Sequence, residues 1–567
     1  MKLRKIYVRN FRCIYELHVE LNDFTVFIGA NNSGKTTIIN AIRIVFENIS
    51  KFKERTVIEQ YVPQHIRTDT LWFFENSREP AVIRAIVTPE THEVEILRDY
   101  FQEVKDIKLE VRLEKVAEDR VRLKLNELSL LGYVTVSSKK ADEILKALGV
   151  SSKERYTELK IVEDTRVVDR SVFDKILLML EDKVHYVNVY ENVEVPGYEI
   201  KALIPHSLLP RSYINSFERA MKDPEKRMKL ASYSEEITGS VYHPSLEKQY
   251  RRTFFRYEEF GGGDQVVDSL IAVLLDKGSG HIFLLEEPEI HLHPSYAKRL
   301  GGLLEKLVKN EEIQMVIVSH SPMFIRYLSD IENSLCIVKK VPNNGFFTTK
   351  IIQLSEMGKV FPKRIIKRDL FFSDLLMLVE GRSDEIIIDK CIEVLRLDPL
   401  SHLYIGYVHY AERKIEEILE LVVEIAEIMD VPKFMIADGD KAGKEYICEA
   451  LNKGFKEGEE VFGLKSEDIF FVVREDILNE AISEVIEKLK GEMGEEVVEL
   501  GKICKLKIKN KKDLESLFSK VKDKIPRWKI ELASAIVKRI NEKRDLKPEI
   551  RNLLNNINGY VREVVGI

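Results

Sequence analysis

Three stretches of this chain have the residue types and spacing to do chemistry. The first, GANNSGKT from Gly29 to Thr36, matches GxxxxGK[ST] and lies between a strand pattern, FTVFIG, and a helical one, TTIINAIRIVF. Backbone N–H groups of such a loop bind phosphate oxygens, the lysine reaches the β- and γ-phosphates, and the following hydroxyl serves Mg²⁺. Gly29, Asn32, Ser33, Gly34, Lys35, Thr36 and Thr37 are therefore the expected contacts of ATP. The second stretch, HIFLLEEPE, is an apolar strand that ends in Glu286 and Glu287. Beside a phosphate loop, the first acid orients Mg²⁺ through water and the second polarises the attacking water. Two further segments support this site: MVIVSH, ending at His320, and FGGGDQ, whose Gly261, Gly262 and Gly263 precede a helix.

The third stretch is acidic. LLMLVEGRSDEIII puts Glu380 at a strand end and Asp384 at a helix start, and KFMIADGDKAG puts Asp438 and Asp440 at another strand end. In a parallel sheet the strand C-termini gather on one edge, so these carboxylates converge. Crowded carboxylates need a compensating cation, and oxygen ligands favour Mg²⁺ or Mn²⁺.

The elements that must position these residues form two α/β regions. Strand and helix patterns run from Met1 to about residue 48. Period-two alternation from about Ala81 to Ser137 predicts an antiparallel meander, and residues from about 138 to 245 read as an inserted helical arm. A second α/β stretch reaches about Leu354. Alternating strands and amphipathic helices then run from about residue 369 through DIFFVV, read as the last strand, to about residue 510, and 511–567 reads as a helical extension. At 567 residues two or three domains are expected. Five scattered cysteines without a CxxC pair argue against a zinc module or disulfide framework, and no signal-peptide core or membrane-length apolar run stands out; a soluble, cytoplasmic protein is expected.

The order of motifs resembles the ABC-type ATPase heads of the SMC, RecF and OLD (overcoming lysogenization defect) group. The resemblance implies that GGGDQ caps ATP held by a second head, that His320 senses the γ-phosphate, and that the chain forms a homodimer or a tetramer, through the heads or the inserted arm. Gln60 or Gln64 is the matching Mg²⁺-facing glutamine. Glu286 stands where these heads usually carry aspartate, and GGGDQ departs from the LSGGQ of transporters. His291 and His293, in EIHLHP, shape the turn after the strand rather than bind metal.

The strand-end glutamate with DxD resembles the Toprim domain, and EGRSD joined behind such a head is similar to the OLD family, above all to nuclease subunits of Gabija-type anti-phage systems. This implies an ATP-regulated DNA endonuclease whose metals hold a scissile phosphate, with a helicase-like partner in a Gabija-type setting. A third metal-binding element is implied after DIFFVV, where Asp476 is the first choice over Glu475 and Glu480. A lysine that stabilises transition-state charge matches Lys529. The competing reading is an SMC/RecF-like DNA-repair ATPase whose Toprim domain binds DNA without cutting.

A net charge of −6 gives no global pull toward DNA, so any DNA surface must be a local basic patch. KLKIKNKK puts Lys505, Lys507, Lys509 and Lys511 on one face if it is a strand, which either tracks a phosphate backbone or protects a sheet edge.

Overall fold

The computed structural model describes residues 1–29, 32–61, 79–97, 101, 104–117, 120–134, 156–163, 166–188, 211–239, 241–242, 247–250, 253–256, 262–290, 292–325, 328, 331–343, 346–353, 370, 372–410, 414–429, 431–493, 508, 510–519 and 527–565. Gly261, His291, Gln64, Lys505, Lys507, Lys509 and the side chain of Gln60 lie outside the described parts. The chain divides into two compact units, Met1–Gly358 and Lys359–Ile567.

In the first unit the apolar runs become a six-stranded sheet, in the order Val184–Asn188, Ile282–Glu286, Gln314–Val318, Phe24–Ile28, Leu335–Asn343, Phe346–Gln353. The first five strands are parallel and the last is antiparallel. The middle strands are buried along their full length except at Glu286, which explains their apolar runs. Their C-terminal ends share one edge, and the P-loop, Glu286 and His320 leave from it. An eight-stranded antiparallel sheet accompanies it, and its strands Ala81–Thr88, Asp106–Ala117 and Arg120–Val134 are the alternating segments. The inward residues of that alternation, such as Ile83, Ala85 and Val87, join a core with Ile38, Ile42 and Leu284.

The segment read as an inserted helical arm carries strands as well as helices. Tyr156–Glu163 pairs with Arg120–Val134 in the antiparallel sheet, and Val184–Asn188 is an edge strand of the ATPase sheet beside Ile282–Glu286. Leu159 and Ile161 alternate inward, the period-two signal of a strand. Helices Arg211–Lys222 and Pro224–Thr238 pack on Gly262–Lys277 within the same unit.

The second unit has a four-stranded parallel sheet in the order Ile405–His409, Leu375–Val379, Lys433–Ala437, Val461–Gly463. DIFFVV is not its last strand: Ile469–Val472 is a 3₁₀ turn, and Val461–Gly463 takes the edge. All four of its residues are buried, so their apolar run reflects burial rather than sheet pairing. The C-terminal helices share the core of this sheet, where Trp528 and Leu532 pack with Phe470 and Phe518. Trp528 stacks on Phe518 with ring centroids 4.4 Å apart, fixing helix Trp528–Val537 against Lys511–Ser519.

Candidate functional site

The first site lies at the C-terminal edge of the ATPase sheet. Gly29 has φ +144°, and a Cβ there would fall 2.1 Å from the Val338 carbonyl oxygen, so the loop can turn only with glycine at this position. Helix Lys35–Phe46 starts at Lys35, whose Nζ donates to the Gly29 carbonyl at 2.9 Å. Burial lowers this ammonium to about 8, with the Glu287 charge opposing the shift. A cavity of about 430 Å³ opens here, lined by Asn32, Ser33, Gly34, Lys35, Thr36, Thr37 and His320 together with Arg12, Cys13 and Lys340. No motif in the sequence marks those last three residues.

Thr36 donates its hydroxyl to Glu286 at 2.5 Å, and Tyr186 donates to the other Glu286 oxygen at 2.6 Å. A hydroxyl and a carboxylate in contact beside a P-loop are a donor pair that fits Mg²⁺. Glu287 and His320 stand 3.6 Å apart. Burial and the adjacent Glu286 raise the Glu287 carboxyl, while burial and Lys35 lower His320 to about 4, leaving it neutral near pH 7. Gly262 and Gly263 open helix Gly262–Lys277, and Gln265 in its first turn is buried. His293 caps the next helix, accepting from the Ser295 N–H at 3.2 Å.

The second site gathers at the C-terminal edge of the four-stranded sheet. Glu380 follows strand Leu375–Val379, and Asp438 follows Lys433–Ala437. Asp440 caps helix Lys441–Asn452, accepting from the Gly443 N–H at 2.8 Å. Gly439 donates to the Ser466 carbonyl at 2.8 Å, which draws the DxD loop toward the segment that ends in Asp468. Asp468 is buried and completes the cluster. Lys511 Nζ lies 2.7 Å from Asp440, 3.3 Å from Asp438, 3.8 Å from Glu380 and 3.9 Å from Asp468. Lys529 Nζ lies 3.4 Å from Glu380 and 4.0 Å from Asp468.

Electrostatics follow from this crowding. Burial, Asp468 and the hydrogen bond with Glu380 push the Asp438 carboxyl well above its usual range. Burial also works against the Glu380 anion, but Lys529, the Asp438 hydrogen bond and Lys511 hold its carboxyl low. Burial disfavours the Lys511 ammonium, yet Asp440 and the other acids outweigh it and hold its pKa high.

Two expected residues are held by other partners than Lys511 and Lys529. Asp476 is exposed and pairs with Arg474, and the acid that meets Lys511 and Lys529 is Asp468. Asp384 is buried, accepting from the Gly381 N–H at 2.9 Å and from Ser383 at 3.1 Å; burial raises it to about 7. Lys511 opens helix Lys511–Ser519 and turns into the carboxylates rather than continuing a basic strand. Among the described residues no group of three His, Cys, Asp or Glu side chains is arranged as a ready metal-ligand set. The four carboxylates are nonetheless hard oxygen donors of the kind that suits Mg²⁺ or Mn²⁺, and the Lys511 ammonium already holds a positive charge among them.

Comparison with known proteins agrees with both units. Residues 1–226 and 272–325 match an AAA ATPase domain, and 371–440 match an overcoming lysogenization defect protein-like TOPRIM domain. The fold is thus a P-loop ATPase head with mixed sheets and helical insertions plus a separate Toprim-like region. It is distantly similar to an OLD nuclease of Thermus scotoductus, 21% identical over 467 residues, covering 77% of this chain and 82% of the relative. Among solved structures, the SMC head domain of Thermotoga maritima aligns over 62% of this chain and 99% of its own, at 14% identity and TM-score 0.32. A Pyrococcus furiosus Smc head bound to the C-terminal domain of ScpA aligns over 63% and 97%, at 13% identity and TM-score 0.35. Among the described residues no helix is long and apolar enough to cross a membrane.

Proposed function

We propose that this chain is a nucleotide-controlled, metal-dependent DNA endonuclease that cuts at the Toprim carboxylates. The observation that carries the reading is the convergence of Glu380, Asp438, Asp440 and Asp468 on one sheet edge, with Lys529 3.4 Å from Glu380. Bound Mg²⁺ or Mn²⁺ would supply charge neutralisation at the scissile phosphate and a more acidic water. Asp438, Asp440, Glu380 and Asp468 are the residues to hold it. Hydrolysis adds a water oxygen to phosphorus as the bond to the leaving sugar oxygen breaks, and that oxygen takes up a proton. Lys529 is placed to balance the negative charge that grows on the phosphate oxygens.

ATP is the controller in this reading. Lys35 holds its phosphates, Thr36 and Glu286 serve its Mg²⁺, Glu287 orients water, and His320 reads the γ-phosphate, while Gly261 to Gln265 face the nucleotide of a second copy. A homodimer or tetramer follows from that division of labour. The Toprim match and the relative's name support the nuclease part of this reading, and the reading assigns the nuclease to anti-phage defence, in a Gabija-type setting with a helicase-like partner protein.

The test uses the full chain with supercoiled DNA and Mg²⁺ or Mn²⁺. Wild type should nick or cut, and Glu380→Ala should abolish cutting while leaving ATP binding intact. Cutting that survives Glu380→Ala removes the Toprim assignment. An ATP titration with Lys35→Ala as control reads the coupling, which is absent if cleavage is unchanged in both. The alternative, an SMC/RecF-like repair ATPase whose Toprim domain only binds DNA, draws on the Lys511 ammonium among the carboxylates; it is favoured if wild type binds DNA and cuts none with either metal.

A further inference from the structure

The Toprim carboxylates are served by a cation of the chain's own. Lys511 Nζ is within 3.9 Å of all four acids, whereas Lys529 meets only Glu380 and Asp468. Lys511 and the DxD pair are in direct contact, at 2.7 Å from Asp440 and 3.3 Å from Asp438. A divalent ion that joined these two aspartates would take oxygen ligands at roughly 2.0–2.2 Å, between the same oxygens. Two cations in that space repel at short range even in a partly screened interior. They exclude each other.

The position of Lys511 in its helix strengthens the argument. It is the first residue of Lys511–Ser519, where the helix dipole disfavours a cation, so the local backbone gives this ammonium no support. Its own N–H is held separately, donating to Glu467 at 3.2 Å. The backbone is thus anchored by one acid and the side chain by four others. A four-carbon stem can withdraw by rotation about its own bonds while the helix stays in place.

We infer that Lys511 is an internal counter-ion that competes with the divalent metal for Asp438 and Asp440, so that metal enters only as Lys511 withdraws. The inference rests on the metal-holding reading of the cluster. Lys511 is a positioning residue here: it keeps the carboxylates together in the metal-free protein and sets how tightly metal binds. Lys529, farther from the DxD pair, leaves that pair free.

The experiment measures Mn²⁺ binding to the nucleotide-free full chain from the free Mn²⁺ signal in electron paramagnetic resonance. The Toprim site is defined as the binding lost in Glu380→Gln. Lys511→Met should bind Mn²⁺ at that site at least about tenfold tighter than wild type, a floor set by the like-charge repulsion removed. Lys511→Arg, which keeps the charge, should bind no tighter than wild type. Calorimetric melting is the second readout, because loss of the ammonium takes the cation from Asp438 and Asp440 and leaves Lys529 to serve Glu380 and Asp468. Lys511→Met should melt below wild type in EDTA and recover on adding Mn²⁺, with a larger metal-dependent rise than wild type. Equal or weaker Mn²⁺ binding by Lys511→Met overturns the inference and leaves the metal-site reading standing. If neither protein has a Mn²⁺ site sensitive to Glu380→Gln, the metal-site reading falls and the inference falls with it.

Discussion

Ser319 donates its hydroxyl to Glu289 at 2.5 Å, and the next backbone N–H, of His320, donates to the same oxygen at 3.2 Å. Glu289 lies two residues beyond Glu287, so one carboxyl ties the turn after the acidic strand to the strand end that bears His320. Its other oxygen is buried and has no hydrogen-bond partner among the described residues.

Burial pushes the Glu289 carboxyl up to about 7. The folded protein then keeps a proton that the unfolded chain releases near pH ~4.3. Between those values the unfolded state binds fewer protons, so stability falls as pH rises, by up to about 1.4 kcal/mol per pH unit for this group. Glu289→Gln carries no such proton. Denaturation midpoints from pH 4.5 to 8 should show the variant gaining on wild type up to about pH 7 and holding level above it. Parallel curves would show that Glu289 does not titrate in this way.

Lys35 makes the opposite kind of prediction. Its ammonium is lowered to about 8 in the free protein because burial outweighs Glu287, and bound phosphates restore the charged form. ATP affinity should therefore weaken as pH rises above about 8, approaching tenfold per pH unit, about 1.4 kcal/mol. Titration calorimetry at pH 8.5 in two buffers of different ionisation enthalpy should register proton uptake on binding, and Lys35→Arg should register none. Lys35→Ala should weaken binding by roughly ten- to a hundredfold, the range of a lost charged hydrogen bond.

Asp468 and Asp476 separate the third-motif alternatives. Asp468→Asn removes a buried carboxylate 3.9 Å from Lys511 and 4.0 Å from Lys529, and should reduce cleavage at least about tenfold, as expected for loss of a charged group at a metal site. Asp476→Ala breaks an exposed pair with Arg474 and should leave cleavage and Mn²⁺ binding at wild-type levels. The reverse order of effects would return the role to Asp476.

The reason Asp468 escapes a reading of the sequence is local. SEDIFFVV looks like a strand opening with an acid, whereas the structure makes Asp468 the cap of a buried 3₁₀ turn, accepting from the Phe470 N–H at 3.2 Å. An acid placed directly before a fully apolar run is the signal that was present. Val184–Asn188 is harder: five residues with His185 among them show no clear period, and they become a strand because Ile282–Glu286 offers a parallel edge. That strand brings Tyr186 to Glu286, a contact without a sequence motif. The P-loop and the strand-end acids Glu286, Glu380 and Asp438 are legible because each follows a short buried run directly. Lys511 is not, since nothing in KLKIKNKK distinguishes the lysine that turns inward from its neighbours.

Gly443 tests the backbone beneath the DxD pair. A Cβ at this position would lie 2.0 Å from the Asp438 carbonyl oxygen and 2.9 Å from its carbon. Helix Lys441–Asn452 approaches the DxD loop this closely because glycine is there, and the Gly443 N–H is also the donor to Asp440. The obstacle is backbone, which cannot rotate away as a side chain can. Gly443→Ala should therefore displace either the helix or the loop, at a cost of about 1–3 kcal/mol for overpacking. Cleavage and Mn²⁺ binding should fall together as Asp438 and Asp440 move apart. ATP binding should persist, because its cavity is lined by residues of the other unit. Retained cleavage with an unchanged melting temperature would mean that the loop relaxes without disturbing the aspartates, and would remove Gly443 from the account of how they are held.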